Sequence, residues 1–317
     1  MPITRRHALA ATAAAFAAAP ALAQDYPSRA IRVIVPYAAG GTDQYIRLLQ
    51  NDFTQRLGQP VVIESVVGGG GGIGANRVRT STPDGYTLLF GGTAALTVVP
   101  RIQSQPYTAM DFAPVCNLVA LPIIVAAKRG FRHRTAQDML TAARAQPESI
   151  SFGSPGIGSS PHLAGEAMAR AAGVKLLHVP YAGIAPAMTA LLAGDIDLVV
   201  GAPGIIMPTV ESHGILPLAQ TGATRSAALP DLIALKEIGL DVDLVTRFGF
   251  FAPKETPEPI LQRLDQVFRD AAAAPGYAQA MRRAFNEVLL QDRAQFTQAL
   301  AAEDRAMALL IEQLNLR

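Results

Sequence analysis

The residues best suited to chemistry lie where short apolar strands are predicted to run into helices. Residues 153–160 (GSPGIGSS, here the second turn) precede a helix that begins near His162. Free backbone N–H groups and serine hydroxyls at a helix N-terminus favour an anion. Residues 36–43 (the first turn) repeat this arrangement after the first strand. Two such turns without an obvious catalytic set indicate a protein that holds a carboxylate rather than one that transforms it.

The first turn combines backbone freedom with small polar groups. Gly40 and Gly41 permit close approaches that residues with side chains resist. Thr42 offers a hydroxyl donor, and Asp43 is predicted to cap the following helix, with recognition of a ligand ammonium or hydroxyl as the alternative. Tyr37 is either a cleft wall or an ordinary partly buried aromatic residue.

The second turn also contains the components of a nucleophile and a base. Ser159 or Ser160 with His162 is the pair that a secreted serine hydrolase would use. The sequence lacks a GxSxG elbow and an obvious carboxylate to orient the histidine, so we predict no enzyme activity. The five histidines show neither HxxxH nor HExxH spacing, which predicts no metal site.

Residues 68–72 are five consecutive glycines, and Gly69, Gly71 and Gly74 match a dinucleotide-binding pattern. A glycine run satisfies that pattern by default, and the acidic residue nearest the required position, Asp84, lies in a turn rather than at a strand end. We therefore predict no cofactor. The run is interpreted as a tight turn that brings the backbone close to a ligand or a neighbouring loop, with a purely structural turn as the alternative.

The first 23 residues have the features of an export signal. Arg5 and Arg6 form a basic region, residues 8–19 are apolar, and residues 21–23 (ALA) form a cleavage site. This predicts the periplasm, reached by the Sec route or, given the paired arginines, by the Tat route. Loss of these two arginines from 27 basic residues leaves 25, equal to the 25 acidic ones. A neutral surface does not favour nucleic acid as a partner.

Predicted strands alternate with predicted helices, which is typical of an α/β protein with mostly parallel sheets. Cys116 is the only cysteine and lies in an apolar segment, so we expect a buried free thiol. Strands are predicted at residues 31–35, 61–67, 86–90, 150–152, 175–179, 196–200, 216–221 and 247–252, an extended segment at 118–127, and helices at about 43–56, 73–80, 135–145, 162–172, 185–193 and from 257 onward.

Several segments, taken in order, carry a family likeness that covers nearly all the chain after residue 23. They are YPSRAIRVIVPY (26–37), GGIGA (71–75), PDGYTLL (83–89), GSPGIGS (153–159), HLAGE (162–166), HVPY (178–181) and GFFAP (249–253). In these segments the chain resembles the periplasmic substrate-binding proteins of tripartite tricarboxylate transporters, the TctC or Bug family.

The resemblance implies a two-lobed periplasmic binding protein of type II, or Venus flytrap, of the α/β class, with a mostly parallel sheet flanked by helices in each lobe. Lobe one is expected at residues 24–121 plus 248–317, and lobe two at 122–247. The implied protein is a monomer that delivers a small mono- or dicarboxylate to the permease subunits of a tripartite tricarboxylate transporter. An aromatic carboxylate or an amino acid is an alternative ligand, and a sensor for a signalling receptor is an alternative function.

The chain departs from the family pattern at a few positions. Ala38 and Ala39 stand where the family often has prolines, and Gly72 stands where it usually has asparagine. Arg247 and Phe248 replace a common tryptophan. Arg247 is interpreted either as a positive charge for the cleft or as a surface residue.

By position, the resemblance places the ligand carboxylate against backbone amides and small hydroxyls of the two turns, with further contacts from three other loops. The expected ligand-binding residues are Tyr37, Ala39, Gly40, Gly41, Thr42 and Asp43; Gly92 and Thr93; Ser154, Gly156, Gly158, Ser159, Ser160 and His162; Tyr181; and Ala202.

Overall fold

The computed structural model describes residues 26–316, so the predicted export signal lies outside the described residues. Two mixed β-sheets, each flanked by helices, form the fold. The strands are β1 (Ile31–Val35), β2 (Val61–Ser65), β3 (Thr87–Gly92), β4 (Phe112–Pro122), β5 (Ile124–Ala127), β6 (Ser151–Ser154), β7 (Leu177–Pro180), β8 (Leu198–Gly201), β9 (Leu216–Gln220), β10 (Val245–Pro253) and β11 (Val288–Gln291).

Helices fill most of the connections between strands. Within residues 26–316, none of them combines the length and the apolar character that crossing a bilayer requires. They are α1 (Gln44–Arg47), α2 (Gln50–Leu57), α3 (Gly72–Arg79), α4 (Ala94–Thr97), α5 (Val99–Ile102), α6 (Ala136–Ala145), α7 (Ser160–Ala171), α8 (Ile184–Ala193), α9 (Pro203–Ile206), α10 (Pro208–His213), α11 (Glu258–Ala272), α12 (Pro275–Arg283) and α13 (Arg293–Leu314), with 3₁₀ turns at Gly69–Gly71, Ala109–Asp111 and Leu235–Ile238.

The sheet of lobe one has the strand order β11-β4-β10-β3-β1-β2. β1 runs parallel to β2 and β3, whereas β10 is antiparallel to β3 and β4. An aromatic cluster fills the space between this sheet and its helices. Phe250 of β10 and Phe268 of α11 stack with ring centroids 4.1 Å apart, and Phe53 of α2 lies 4.7 Å from Phe268. This core fixes the carboxyl end of β1, from which the first turn begins.

The sheet of lobe two has the strand order β7-β6-β8-β5-β9. β6 is parallel to β7 and β8, and β5 is antiparallel to β8 and β9. Phe152 of β6 and Met168 of α7 are fully buried in its core. The packing of α7 on β6 sets the position of the second turn, which joins them.

The chain passes between the sheets twice. β4 ends at Pro122 and β5 begins at Ile124, and β10 returns to the first sheet. β4 and β10 pair antiparallel from Val245 with Pro122 to Pro253 with Phe112. This two-stranded ladder lies where the chain crosses between the lobes. The expected lobe boundaries at residues 121/122 and 247/248 stay predictions.

The predicted two-lobed α/β class is confirmed, and the sheets are mixed rather than mostly parallel. The antiparallel pairs come from the strands next to the crossings, because a chain that leaves one sheet and returns runs beside itself in the opposite direction. The predicted helix at residues 43–56 is divided into α1 and α2. Cys116 is a buried free thiol, as expected.

Candidate functional site

A small cavity lies between the lobes, bounded by the first turn, the second turn and β10. Its volume is about 30 Å³, enough for roughly two water molecules. Within residues 26–316, no charged side chain lines it. Its lining residues are Tyr37, Ala38, Gly41, Thr42, Tyr45, Gly92, Pro155, Ser159, Ser160, Pro161, Ile184, Ala202, Ile205, Thr246 and Phe248.

The second turn brings the start of α7 to the cavity wall. Ser159 is the N-cap, and its Oγ accepts from the His162 N–H at 3.3 Å and donates to the Gly156 carbonyl oxygen at 2.8 Å. The Ser160 N–H donates to no acceptor in the described part of the chain. α7 is 12 residues long, so its N-terminus carries the positive partial charge of a helix dipole. The second turn therefore has the geometry of an anion site.

The first turn is organised differently, around its own carboxylate. Asp43 Oδ1 accepts from the N–H groups of Gly40 (2.9 Å) and Gly41 (3.0 Å), and Arg47 Nε donates to Asp43 Oδ2 at 2.6 Å. Asp43 has helical backbone angles and forms no capping bond to α1. The predicted cap is therefore wrong, because the carboxylate binds the amides before it rather than those after it. Amides that we expected to hold a ligand already hold Asp43.

Three hydroxyls on largely buried residues around the cavity have no hydrogen-bond partner in the described part of the chain. Thr42 is 8 % exposed, Tyr45 is 3 % exposed and Thr246 is 6 % exposed, yet their side-chain oxygens form no hydrogen bond within residues 26–316. All three residues line the cavity. None of the three oxygens is among the fully buried atoms that lack a partner, so each hydroxyl is open to the cavity and can bind a ligand or water.

Sequence reasoning missed Tyr45 and Thr246. Tyr45 follows Thr42 by three residues at the start of α1, a spacing that puts both on one side of a helical turn. Thr246 and Phe248 alternate on β10 with Arg247, so the two-residue period of a strand places them on the face opposite Arg247. That period was visible in the sequence, but nothing in it showed which face met the cleft.

Arg247 lies on the face of β10 turned away from the cavity. Its Nη1 is 3.0 Å from Glu303 Oε2 of α13, and Thr93 Oγ1 donates to the other oxygen of the same carboxylate. Burial of Glu303 raises the pKa of its carboxyl group. Arg247 is thus not a charge of this cavity; it is partly exposed and lines, with Ser160, a neighbouring opening of about 320 Å³. The Thr93 hydroxyl likewise points to Glu303, and Thr93 does not line the cavity.

The structure brings some of the expected binding residues together and separates others. Those that line the cavity are Tyr37, Gly41, Thr42, Gly92, Ser159, Ser160 and Ala202. Ala39 and Gly40 are exposed at the tip of the first turn, whereas Asp43, Thr93, Ser154, Gly158 and His162 are buried behind the lining. Gly156 and Tyr181 line a neighbouring opening of about 250 Å³ that shares Tyr37 with the cavity.

Two stacked histidines support the second turn from behind. Ser154 Oγ lies 2.7 Å from His178 Nε2, the Gly158 N–H donates to His162 Nδ1 at 3.2 Å, and the two rings stack with centroids 4.1 Å apart. Burial lowers the pKa of His162 to about 3, with a further contribution from His178, and burial lowers that of His178 to about 4. Both rings are therefore neutral near pH 7 and act as hydrogen-bonding supports.

The nucleophile–base pair of the hydrolase hypothesis does not form. The Ser159 hydroxyl donates to a carbonyl, and His162 Nδ1 accepts from a backbone amide rather than from Ser159 or Ser160. The pair that does form, Ser154 with His178, is closed to solvent at the serine, which is 0 % exposed. Across residues 26–316, no three His, Cys, Asp or Glu side chains converge as a metal site would require.

The glycine run is a contact between the lobes. A Cβ on Gly70 would lie 2.0 Å from the carbonyl oxygen of Ile157 in the second turn, and Gly70 has φ +63°. Gln103 of lobe one also donates to the Ile157 carbonyl oxygen, at 2.9 Å. The Ala38 N–H reaches the Ala182 carbonyl oxygen at 3.2 Å on another part of the rim. Of the two interpretations of the run, the close approach to a neighbouring loop therefore holds.

Two α/β lobes that enclose a cavity, joined by two crossing segments, define a binding protein of the periplasmic type. Residues 45–316 match the family model described as the tripartite tricarboxylate transporter family receptor, TctC. The chain belongs to this family.

Relatives along most of the chain agree with this assignment. A UPF0065 protein from Cupriavidus necator is 34% identical over 99% of this chain and 97% of its own length. The structure of the periplasmic binding protein BugD is 30% identical, with a TM-score of 0.85 over 92% of this chain and 99% of BugD. An R. palustris protein whose structure was solved with adipate is 26% identical, with a TM-score of 0.86 over 92% of this chain and 99% of that protein.

Proposed function

We propose that this protein is a periplasmic receptor that captures a small carboxylate between its lobes and delivers it to the membrane permease of a tripartite tricarboxylate transporter. The observation that carries the proposal is the cavity at the N-terminus of α7, which is lined both by hydroxyls without partners and by Ser160, whose N–H is free. Donors fixed in place before binding favour an anion, because they need no reorganisation when it arrives.

The ligand class follows from the donors and from a relative. The lining supplies hydroxyls, an amide and a helix N-terminus, all of which stabilise negative charge. It supplies no carboxylate that would pair with a sugar or a cation. The R. palustris relative was solved with adipate, which is a carboxylate. A ligand in this cavity contacts both lobes and so shifts the population toward the closed form, which the permease would recognise.

The remaining parts of the proposal come from the sequence and the family. Residues 1–23 direct export through the Sec or the Tat route, and the mature chain acts as a monomer. The protein binds its ligand without transforming it, and it uses neither a metal nor a cofactor.

The first test is ligand binding by the mature chain, residues 24–317, after unfolding and refolding to remove any ligand carried from the cell. Thermal shift against carboxylates, amino acids and sugars is followed by titration calorimetry on each hit. A ligand at 100 times its dissociation constant adds roughly 2.7 kcal/mol of stability. We expect stabilisation by carboxylates only. Stabilisation by sugars alone, or by nothing in the panel, would contradict the proposal.

Delivery is tested separately. Vesicles that contain the permease subunits of a tripartite tricarboxylate transporter should accumulate the identified ligand only when the binding protein is present. A variant with Thr246→Val, which lacks one of the unpartnered hydroxyls, should slow uptake at low ligand concentration. Uptake that is independent of the binding protein would leave the sensor function as the better explanation.

A further inference from the structure

We infer that the ligand carries a single carboxylate on an uncharged and largely apolar body, so that this receptor selects monocarboxylates over dicarboxylates of the same skeleton. The inference rests on the proposed function, and it names the ligand class of the same site. Three features of the cavity support it.

The first feature is that, of the two turns in the described chain, only the second is left open to an anion. In the first turn, the Asp43 carboxylate accepts from the Gly40 and Gly41 amides and forms an ion pair with the half-exposed Arg47. A second anion there would meet the buried negative charge of Asp43, which is 1 % exposed. The second turn keeps the free Ser160 N–H at the start of α7. The protein thus fills one of its two anion-receptive turns with its own carboxylate.

The second feature is the location of the unpartnered donors. Thr42 and Thr246 are more than nine-tenths buried and line the cavity, and their side-chain hydroxyls form no hydrogen bond in the described chain. Together with the Ser160 N–H, the two hydroxyls provide three hydrogen-bond donors. The two oxygens of one carboxylate can accept from all three. The long helix behind Ser160 adds its dipole. A helix N-terminus and separate buried hydroxyls therefore converge on the same small space.

The third feature is the rest of the wall, which is apolar. Phe248 packs against Tyr45 with ring centroids 5.1 Å apart, and Ile184 and Ile205 contribute aliphatic surface. α8 also begins at the cavity, but it presents the Ile184 side chain there. A second carboxylate would lose its water against this surface without a cation to pair with, which is strongly unfavourable.

Arg247 and Arg47, which lie close in sequence to cavity-lining residues, do not supply that missing charge. Arg247 lies on the far face of β10 and pairs with Glu303, and Arg47 pairs with Asp43. Both guanidinium groups are held in ion pairs, and neither lines the cavity. Their charge is committed to the protein's own carboxylates.

The test uses matched acids that differ only in the second carboxylate. Titration calorimetry on refolded protein compares hexanoate with adipate, and benzoate with terephthalate. We expect the better monoacid to bind at least about tenfold more tightly than its matched diacid. A diacid that binds as tightly as its monoacid, or more tightly, overturns the inference and leaves the proposed function intact. Failure of every carboxylate in the wider panel overturns the proposed function itself.

A variant tests the role of Asp43 directly. Asp43→Asn removes the negative charge from the first turn and keeps the Oδ1 that accepts from the Gly40 and Gly41 amides, so we expect the ratio of diacid to monoacid affinity to rise at least about fivefold. Asp52→Asn is the matched control, because Asp52 also pairs with an arginine four residues on, at 3.1 Å, but on the surface of α2. An unchanged ratio in folded Asp43→Asn protein contradicts the assignment. If that variant does not fold, the matched acids on the native protein decide the question.

Discussion

The two turns begin from the same sequence pattern, a strand followed by glycines and small hydroxyl residues, and they end with opposite electrostatic roles. In the first turn Asp43 satisfies the loop amides, and α1 is only four residues long. In the second turn Ser159 caps a helix of 12 residues and leaves the Ser160 N–H free. One turn is closed by an internal carboxylate, and the other is open to an external one.

This difference shows that a glycine-rich strand-to-helix turn does not by itself define an anion site. Whether such a turn can bind an external anion depends on whether a carboxylate of the same turn already accepts hydrogen bonds from its amides. Gly40 adopts φ +86°, a conformation that glycine tolerates without strain, and the amides of Gly40 and Gly41 then bond to Asp43. The second turn contains no acidic residue, so its donors stay available.

The largest expected effect is on stability, from removal of the carboxylate that closes the first turn. Asp43→Ala leaves the buried Gly41 amide without an acceptor and releases Arg47, so we expect a loss of about 3 kcal/mol in the free energy of unfolding. Urea denaturation followed by circular dichroism measures it. Asp52→Ala is the control, because its ion pair with Arg56 is exposed, and it should cost less than about 0.5 kcal/mol. Equal losses in both variants would show that Asp43 does not organise the turn.

The next effect is on ligand affinity, from the contact between the glycine run and the second turn. A methyl group on Gly70 would overlap the Ile157 carbonyl oxygen, so Gly70→Ala should hold the lobes apart and weaken binding roughly 100-fold, or ~2.7 kcal/mol. Calorimetry measures the affinity, and small-angle scattering shows whether ligand still compacts the protein.

A matched glycine separates this clash from backbone strain. Gly58 has φ +68°, close to that of Gly70, and a Cβ there would meet nothing within 4 Å. Gly58→Ala should therefore cost similar stability and leave affinity unchanged. Binding by Gly70→Ala within about threefold of the native protein would refute the glycine run as a closure contact.

The third expected effect is a loss of stability at acid pH, because the histidines that support the second turn are neutral in the folded protein. The pKa of His162 is lowered from 6.5 to about 3, so in this range the unfolded chain binds a proton that the folded protein excludes. The sign follows from linkage: stability is unaffected by His162 above pH 6.5 and falls as the pH drops below it. Between pH 6.5 and 4.5 His162 alone should account for about 2 kcal/mol.

Substitution isolates this contribution from that of other groups. His162→Gln should lose less stability over the same pH range, by about 2 kcal/mol, in urea titrations at several pH values. His213→Gln is the control, because His213 is exposed at the end of α10, and it should keep the native pH dependence. Parallel curves for His162→Gln and the native protein would show that His162 is protonated in the folded state.

Much of the fold could be predicted from the sequence, because strand–helix alternation and the order of family segments both depend on local patterns. The start of α7 was predicted within two residues, since a glycine–serine turn before an apolar helix is a local signal. The break between α1 and α2 was not predicted. The Asp43 carboxylate could accept either from the amides that precede it or from those that follow it. Which of the two it does depends on backbone angles that the residue types do not determine.

The site was predicted in part for a similar reason. Residues of the two turns are adjacent in sequence, so Thr42, Ser159 and Ser160 could be found from local spacing. Thr246 is remote from both turns in sequence, and it reaches the cavity only because β10 returns to the first sheet beside β3. The two-residue period of β10 predicts that Thr246 and Arg247 lie on opposite faces of the strand, but not which face meets the cavity. The ion pair between Arg247 and Glu303 places Arg247 on the far face and Thr246 on the cavity face.

The smallest expected effect distinguishes the hydroxyl of Ser159 from the helix terminus that it caps. Ser159→Ala should lose about 1 kcal/mol of stability, as other N-cap substitutions do, and binding should weaken only a few-fold, because the Ser160 N–H and the dipole of α7 remain. Thr135→Ala removes the cap of α6, away from the cavity lining, so it should cost similar stability with no change in affinity. If Ser159→Ala abolished binding at that same cost in stability, the hydroxyl itself would hold the ligand. The contrast between the two turns would then lie in a side chain rather than in an open helix terminus.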